Sequence, residues 1–337
     1  MKTPLAARLQ VPRISISPQM RMFLILVLVV AVLFTFLTPN FSYIQVGNLG
    51  NILTDSAIPA IFAFGMGIII AAGGFDLSLG VVASMVALIV AYLMNPGIGM
   101  DPLSAILIGI LAGAASGLLS GMLVSRMGIS SFIVTLGVQF LVIGVRQKIT
   151  GGQSVYISNQ AFKWIATNQI GISNLVVILL IVAVLCYLLM ERSTFGRKVQ
   201  FVGANIDASK FMAIDIKNFT LYTFILGAIL AAIGGTLFAA RAGGVQINSV
   251  DAYLLDAITI AVFSSVIFGR FRASGIVLVA ILISMIGTGM SMMGIRTEWI
   301  EFMKGLILLC SIFLARFMNV STPISQIRLF QKPKGVE

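Results

Sequence analysis

The chain has 337 residues, of which 59% are hydrophobic and 10% charged, with a mean hydropathy of +1.07 and a formal net charge of +11. A soluble domain of that composition would expose large apolar patches, so the chain reads as an all-α integral membrane protein whose apolar runs are helix-length and lack the period-two alternation of a barrel. The basic residues sit at the ends of those runs, which marks them as topology signals and argues against nucleic acid as a partner.

The first apolar block spans residues 22–37 and follows Lys2, Arg8, Arg13 and Arg21. Thr38, Pro39 and Asn40 come next and form no small-x-small cleavage pattern, so a retained helix with a cytoplasmic N-terminal segment, residues 1–21, is expected. Nine further blocks follow, at residues 52–72, 77–94, 103–124, 132–145, 172–190, 219–240, 253–268, 275–293 and 299–314, which predicts about ten transmembrane helices within a single transmembrane domain, 22–317. The shorter blocks fall below the length of a 30 Å hydrocarbon core and need burial or polar extensions.

Threading ten helices puts both termini in the cytoplasm, including the tail 318–337, and most of the 22 Lys and Arg on the inner side. Arg146, Lys148, Lys163, Arg241 and Arg296 fall outside. Within the tenth block Lys304 follows Glu301 by three residues, a spacing at which the pair can offset part of its burial cost. The outer loop, 146–171, carries three of the outer cations with Trp164, and fits either an acidic surface on an extracytoplasmic protein or anionic headgroups.

Between the second and third blocks lies Gly73-Gly74-Phe75-Asp76-Leu77-Ser78, with almost no polar spacer around it. Asp76 and Ser78 can cap the start of the third helix. The alternatives are a tight capped turn and a broken helix acting as a gate or hinge near the pathway. Asp55, Asp251 and Asp256 lie at outer helix ends, where a carboxylate caps a helix, faces a water-filled vestibule or binds an ion. Inside the blocks the polar residues are mostly hydroxyls and amides, such as Thr135, Gln139, Thr259, Ser264 and Ser265, so a pathway there reads as uncharged.

The fourth block carries Gly109, Gly113, Gly117 and Gly121 at four-residue spacing, a stripe suited to close helix packing or to a pore-lining face. Cys186 and Cys310 lie inside apolar runs and form no disulfide framework. Ala72-Gly73-Gly74 recurs as Ala242-Gly243-Gly244 and Met127-Gly128-Ile129 as Met293-Gly294-Ile295, which suggests two inverted five-helix halves.

The longest markedly polar stretch between two apolar runs is 191–217, with Arg192, Arg197, Lys198, Lys210 and Lys217 against Glu191, Asp207 and Asp215. Asn205 is placed to cap a short helix through Lys210. The loop exceeds what a helical hairpin requires and reads as a cytoplasmic docking surface, the alternative being a solvated loop at lipid headgroups. There is no histidine and no phosphate-loop motif, so no metal is expected and any ATP with its Mg must sit on another chain.

The Gly73 to Ser78 string, the glycine stripe, Phe132-Ile133-Val134-Thr135-Leu136-Gly137 and Thr194-Phe195-Gly196-Arg197 together resemble the membrane permeases of bacterial ABC importers for ribose, galactose, xylose, arabinose and related solutes. The chain departs from that pattern at Ser264-Ser265, where a glycine-rich run is usual, and at Gly203-Ala204, where a double glycine precedes asparagine. The resemblance implies a multi-pass subunit of the bacterial inner membrane that acts as a homo- or heterodimer of permeases. It also implies delivery of solute by a periplasmic binding protein, a cytoplasmic ABC ATPase as motor, and no catalysis by this chain. On that footing Phe195, Gly196, Arg197, Gly203, Asn205, Asp207 and Lys210 form the ATPase-coupling loop, and Gly73, Gly74, Asp76, Ser78, Asp55 and Gln139 are gate or pathway candidates. An ion-coupled secondary transporter built from inverted repeats is the alternative; an intramembrane enzyme lacks any nucleophile and base constellation.

Overall fold

A computed structural model describes residues 18–157, 159–169 and 172–317. Residues 1–17 of the expected N-terminal segment 1–21, with Lys2, Arg8 and Arg13, and the expected tail 318–337, with Arg328, Lys332 and Lys334, lie outside the described residues.

Each of the ten apolar blocks holds a helix. In chain order the helices are α1 (Pro18–Leu37), α2 (Val46–Ala71), α3 (Leu79–Leu93), α4 (Pro102–Met127), α5 (Ser131–Thr150), α6 (Gln160–Lys163), α7 (Asn174–Tyr187), α8 (Thr194–Ala204), α9 (Ile206–Phe211), α10 (Ile216–Ala242), α11 (Tyr253–Phe268), α12 (Ala273–Met292) and α13 (Thr297–Phe317). Short α6, α8 and α9 belong to the two long loops. Among the described residues, seven helices are long and apolar enough to cross a membrane: α1, α2, α4, α5, α7 with its extension to Arg192, α10 and α12. At 1.5 Å per residue α3 and α11 span only about 23 Å, short of the roughly 30 Å of a bilayer core.

The loops also contain strands, which the all-helical expectation lacked. β1 (Val155–Tyr156) pairs antiparallel with β4 (Gly244–Val245), and β2 (Asn168–Gln169) with β3 (Ile172–Ser173). Two-residue ladders leave no periodicity in a sequence, yet they satisfy backbone groups that the loops would otherwise leave unpaired.

α2 forms the centre, buried without interruption from Ser56 to Ala71 and touched by α10, α11, α12 and α7. α10 packs on α4, α2 and α3. That approach depends on the α4 glycines: a methyl at Gly113 would come within 2.7 Å of Ala232 Cβ, at Gly117 within 2.6 Å of Ala228 Cβ and at Gly109 within 2.6 Å of Val90. Gly121 faces Leu221 in the same way. Lipid offers no hydrophobic drive between helices, so backbone proximity and dispersion must hold this contact. The large exposed side chains of α1, α4, α5 and α7, among them Ile25, Leu28, Leu111, Phe140 and Leu185, form the lipid-facing surface.

Contacts between loops gather at two ends of the helix bundle. At one end Phe75 and Leu77 donate their N–H groups to Ser131 Oγ (3.2 Å) and Thr135 Oγ1 (3.1 Å), and Ala273 N–H donates to Glu191 (2.8 Å). At the other, β1 meets β4 and Arg146 meets Asp251. The sequence echo has a conformational basis, since Gly73, Gly128, Gly243 and Gly294 all take positive φ where α2, α4, α10 and α12 end. Helix lengths echo as well: α2 and α3 have 26 and 15 residues, α10 and α11 have 27 and 16.

Candidate functional site

Three places bring the candidate residues together. The first is the loop 191–217. Ser193 caps α8 by accepting from Gly196 N–H, and Asn205 caps α9 by accepting from Ala208 N–H at 2.9 Å. α8 lies flat against the body because glycines let it: a methyl at Gly196 would overlap the Met190 backbone, and one at Gly203 would overlap the Ala71 carbonyl at the end of α2. Phe195 stacks against Phe219 of α10 with ring centroids 5.5 Å apart, and the Arg197 guanidinium donates to the Arg192 carbonyl. Of the expected coupling residues, Phe195, Gly196 and Gly203 therefore fasten α8 to α2, α7 and α10, while Asn205, Asp207 and Lys210 stand on the projecting α9.

The tip of that projection is apolar. Phe211 is 92% exposed and Met212 63%, beside Ala213 in a left-handed conformation (φ 52°). Sequence reading passed over both because it weighed only polar residues there; two large apolar residues inside a solvated stretch were the available signal. Beneath α8 lies a cavity of roughly 360 Å³ lined by Glu191, Arg197, Gln200, Ser265, Arg270 and Phe271.

The second place is the turn between α2 and α3. Asp76 and Ser78 do not cap α3 as expected. Asp76 Oδ1 accepts from Ser78 N–H (2.7 Å) and Ser78 Oγ (2.6 Å), closing the turn on itself, and Ser78 makes no capping bond of its own. The hydroxyls of α5 take up the turn's free N–H groups, so Thr135 serves the backbone of this turn. Gly74 abuts Ile69 and Phe224, and Gly73 lies 3.6 Å from Gly203 when given a methyl, which joins the turn to α8. Gln139, half-buried on α5, lines neither cavity described here.

Asp76 is 1% exposed with Oδ2 unpartnered, and burial pushes its carboxyl up to about 6 despite the Ser78 bonds. The folded-state pKa lies above the unfolded value of 3.8, so folding takes up a proton: the protonated form's stabilisation is complete below 3.8 and is lost as pH rises through 6. Asp76→Asn is therefore expected to raise stability at neutral pH by about 2 to 3 kcal/mol and to flatten its dependence between those values. Thermal unfolding of the two proteins at pH 4 and pH 8 in nanodiscs measures this; equal shifts at both pH values refute it.

The third place is a cavity of roughly 570 Å³ at the β1–β4 end, between α2, α10, α11, α12 and α13. Unlike the hydroxyls and amides inside the apolar blocks, the residues around this cavity are largely charged. Asp55, Arg241, Asp256, Glu301 and Lys304 all line it, with Tyr253, Ser284, Thr288 and Thr297. Asp55, well inside α2, pairs with Arg241, and Lys304 lies 2.9 Å from both Asp256 and Glu301. The Glu301–Lys304 spacing was visible in the sequence, but the partner that completes it is 48 residues away. Ionisable side chains inside an apolar bundle face a partner or a water-filled cavity, and these do both.

Pairing also meets three of the cations expected on the outer side against the charge bias. Arg146 is matched by Asp251, Arg241 by Asp55 and Arg296 by Glu298. Arg146, only 5% exposed, is not available to an external acidic surface, which corrects the expectation for that residue.

The family model described as "Branched-chain amino acid transport system / permease component" matches residues 48–312. The chain is 29% identical over 301 residues to the D-allose transport system permease protein AlsC of Escherichia coli (strain K12), covering 88% of this chain and 91% of that protein. It is 27% identical to the ribose import permease protein RbsC of the same strain (86% and 91% covered) and 32% identical to its galactofuranose transporter permease protein YtfT (78% of each). No solved structure matches.

Proposed function

The chain belongs to this family of transport permease components, and from that premise we propose that it is the membrane subunit of an ATP-binding-cassette importer for a sugar or sugar-like solute. It is a transport subunit and not an enzyme. Its relatives named for D-allose, ribose and galactofuranose span most of both chains. A polar, charged cavity suits a polyhydroxylated solute better than the apolar side chain of a branched amino acid.

The observation that carries the reading is the α8–α9 projection. A chain with no phosphate-loop motif presents an apolar tip at the end of α9, next to α8, which is wedged against the end of α2, and Glu191 just before α8 holds the first N–H of α12. Force on α9 would move α2 and α12, which run on to line the polar cavity. In this reading the α8 end faces the cytoplasm and an ABC ATPase carrying ATP and Mg, and the β1–β4 end faces a periplasmic binding protein. The ten helices of the domain 22–317 form two inverted five-helix halves, and a second permease copy or homologue completes the pathway in the inner membrane.

Proteoliposomes test this. With the ATPase and binding protein present, D-ribose, D-allose or D-galactose is expected to enter only when ATP is supplied. Uptake by this chain alone under a proton or sodium gradient would instead establish an ion-coupled transporter.

A further inference from the structure

Two arginines, Arg197 of α8 and Arg270 of the turn between α11 and α12, line the cavity of roughly 360 Å³ beneath α8. Among the described residues neither forms an ion pair. Charge bias accounts for cations in loops at this end, but not for two of them converging on one concavity. In the larger cavity at the opposite end Arg241 and Lys304 each meet a carboxylate. Here the one carboxylate in the wall, Glu191, accepts from Ala273 N–H at 2.8 Å and pairs with neither guanidinium.

Both arginines are exposed, so their donors are open to a ligand entering from solvent. Arg197 uses Nη1 on the Arg192 carbonyl at 3.1 Å, and among the described residues Arg270 makes no hydrogen bond to the protein. A guanidinium carries five N–H donors in a planar fork that matches the oxygens of a phosphoryl group, and most of the donors of this pair are unengaged. Gln200, in the same wall, donates its amide N–H to the Met190 carbonyl at 3.0 Å, which leaves its side-chain oxygen to accept from a hydroxyl. Phe201, 37% exposed, adds an apolar ring. Forked donors for an oxyanion beside an acceptor for a hydroxyl suit a molecule that carries both groups.

We infer that this cavity is a regulatory site for a phosphorylated monosaccharide, its phosphoryl oxygens held by Arg197 and Arg270 and a ring hydroxyl by Gln200. The inference rests on the reading of the chain as a sugar importer and adds feedback to it. A neutral sugar is retained in a cell by a reaction that gives it charge: its hydroxyl loses a proton and takes the terminal phosphoryl group of a nucleoside triphosphate, releasing the diphosphate. The product gathers on the side that the α8 end faces. Arg197 stands on the helix that carries α9, and Arg270 on the turn that leads into α12. A dianion bound by both ties α8 to that turn, so it favours one arrangement of the two and opposes the movement that transport requires.

Calorimetry on the whole chain, alone and in complex with its ATPase, tests the site in phosphatidylcholine nanodiscs without ATP. The probes are D-ribose 5-phosphate, inorganic phosphate and D-ribose. D-ribose 5-phosphate is expected to bind both samples, inorganic phosphate at least about 10-fold more weakly, and D-ribose to give no heat that Arg270→Gln removes. Arg270→Gln should weaken the phosphorylated sugar by about 10- to 100-fold, the loss of charge-assisted contacts, with thermal unfolding of the empty protein unchanged. In proteoliposomes of the complete system, D-ribose 5-phosphate on the ATPase side should suppress most ATP-driven uptake by the unaltered transporter and leave uptake by Arg270→Gln at its normal rate. Equal binding of inorganic phosphate, binding undiminished by Arg270→Gln, or uptake indifferent to the phosphorylated sugar would each overturn the inference. So would binding that vanishes in the ATPase complex, which would make the arginines a contact for an acidic part of the ATPase, or binding that vanishes when phosphatidylglycerol is added to the nanodisc, which would assign them to a lipid phosphate. ATP-driven uptake without binding removes this inference alone, and absence of ATP-driven uptake in every sample removes the importer reading.

Discussion

Phe211→Asp combined with Met212→Asp is expected to abolish co-purification with the ATPase and ATP-driven uptake while leaving the permease as stable as before. The two side chains make the apolar tip of the α8–α9 projection, and neither supports the fold from that position. Truncating an anchoring side chain at a protein interface costs on the order of 2 to 4 kcal/mol, which weakens association roughly 30- to 1,000-fold before the repulsion of a charge is added. Lys210→Ala should do little by comparison. Its pair with Asp207 is exposed on both sides, and such pairs contribute about 0 to 1 kcal/mol. Gly203→Ala would act differently again, lifting α8 off the Ala71 carbonyl and lowering stability and coupling together. Unchanged ATPase association in the double aspartate variant would show that α9 is not the docking element.

The contrast among these variants marks where sequence reading reached its limit. That residues 191–217 form a polar, partly helical stretch was legible, because Asn205 is a helix cap that acts within three residues of itself; Ser193, which caps α8 in the same way, went unread. Which residues face a partner was not, since Gly203 is committed to Ala71 and Phe195 to Phe219, contacts set by the packing of α2 and α10. The ten apolar blocks were legible for a related reason: burial in lipid needs only length and composition. Polar ends such as residues 46–51 of α2 carry no such mark. The charged cavity stayed hidden because Asp55 and Arg241 are 186 residues apart, and each alone resembles a helix-end charge. Lys304 beside Glu301 in the middle of an apolar block was the one local sign, and it was read as self-compensation where the third member, Asp256, makes it a cavity wall.

A second large effect is expected at the β1–β4 end, where Asp251→Ala should destabilise the protein by about 3 to 5 kcal/mol, the range for breaking one side of a buried ion pair. Arg146 is buried and meets Asp251 through two parallel bonds, Nη1 to Oδ1 at 2.7 Å and Nη2 to Oδ2 at 2.9 Å. Ser84 Oγ donates to the same Oδ1 at 2.6 Å and accepts from Val250 N–H at 3.2 Å, so α3, α5 and the segment leading into α11 share a single knot. Removing Asp251 strands a buried guanidinium, whereas Arg146→Met leaves a carboxylate that is already partly exposed and still holds Ser84. The loss should therefore be larger for Asp251→Ala than for Arg146→Met, and the double variant Arg146→Met with Asp251→Ala should recover part of it, because no uncompensated charge remains. Thermal unfolding of the four proteins in nanodiscs gives the cycle, and proteolysis within residues 151–157 reports whether β1 has come loose from β4. A double variant whose loss equals the sum of the two singles would mean that the pair contributes nothing as a pair, and that the α11 approach is held by Ser84 and the strand ladder alone.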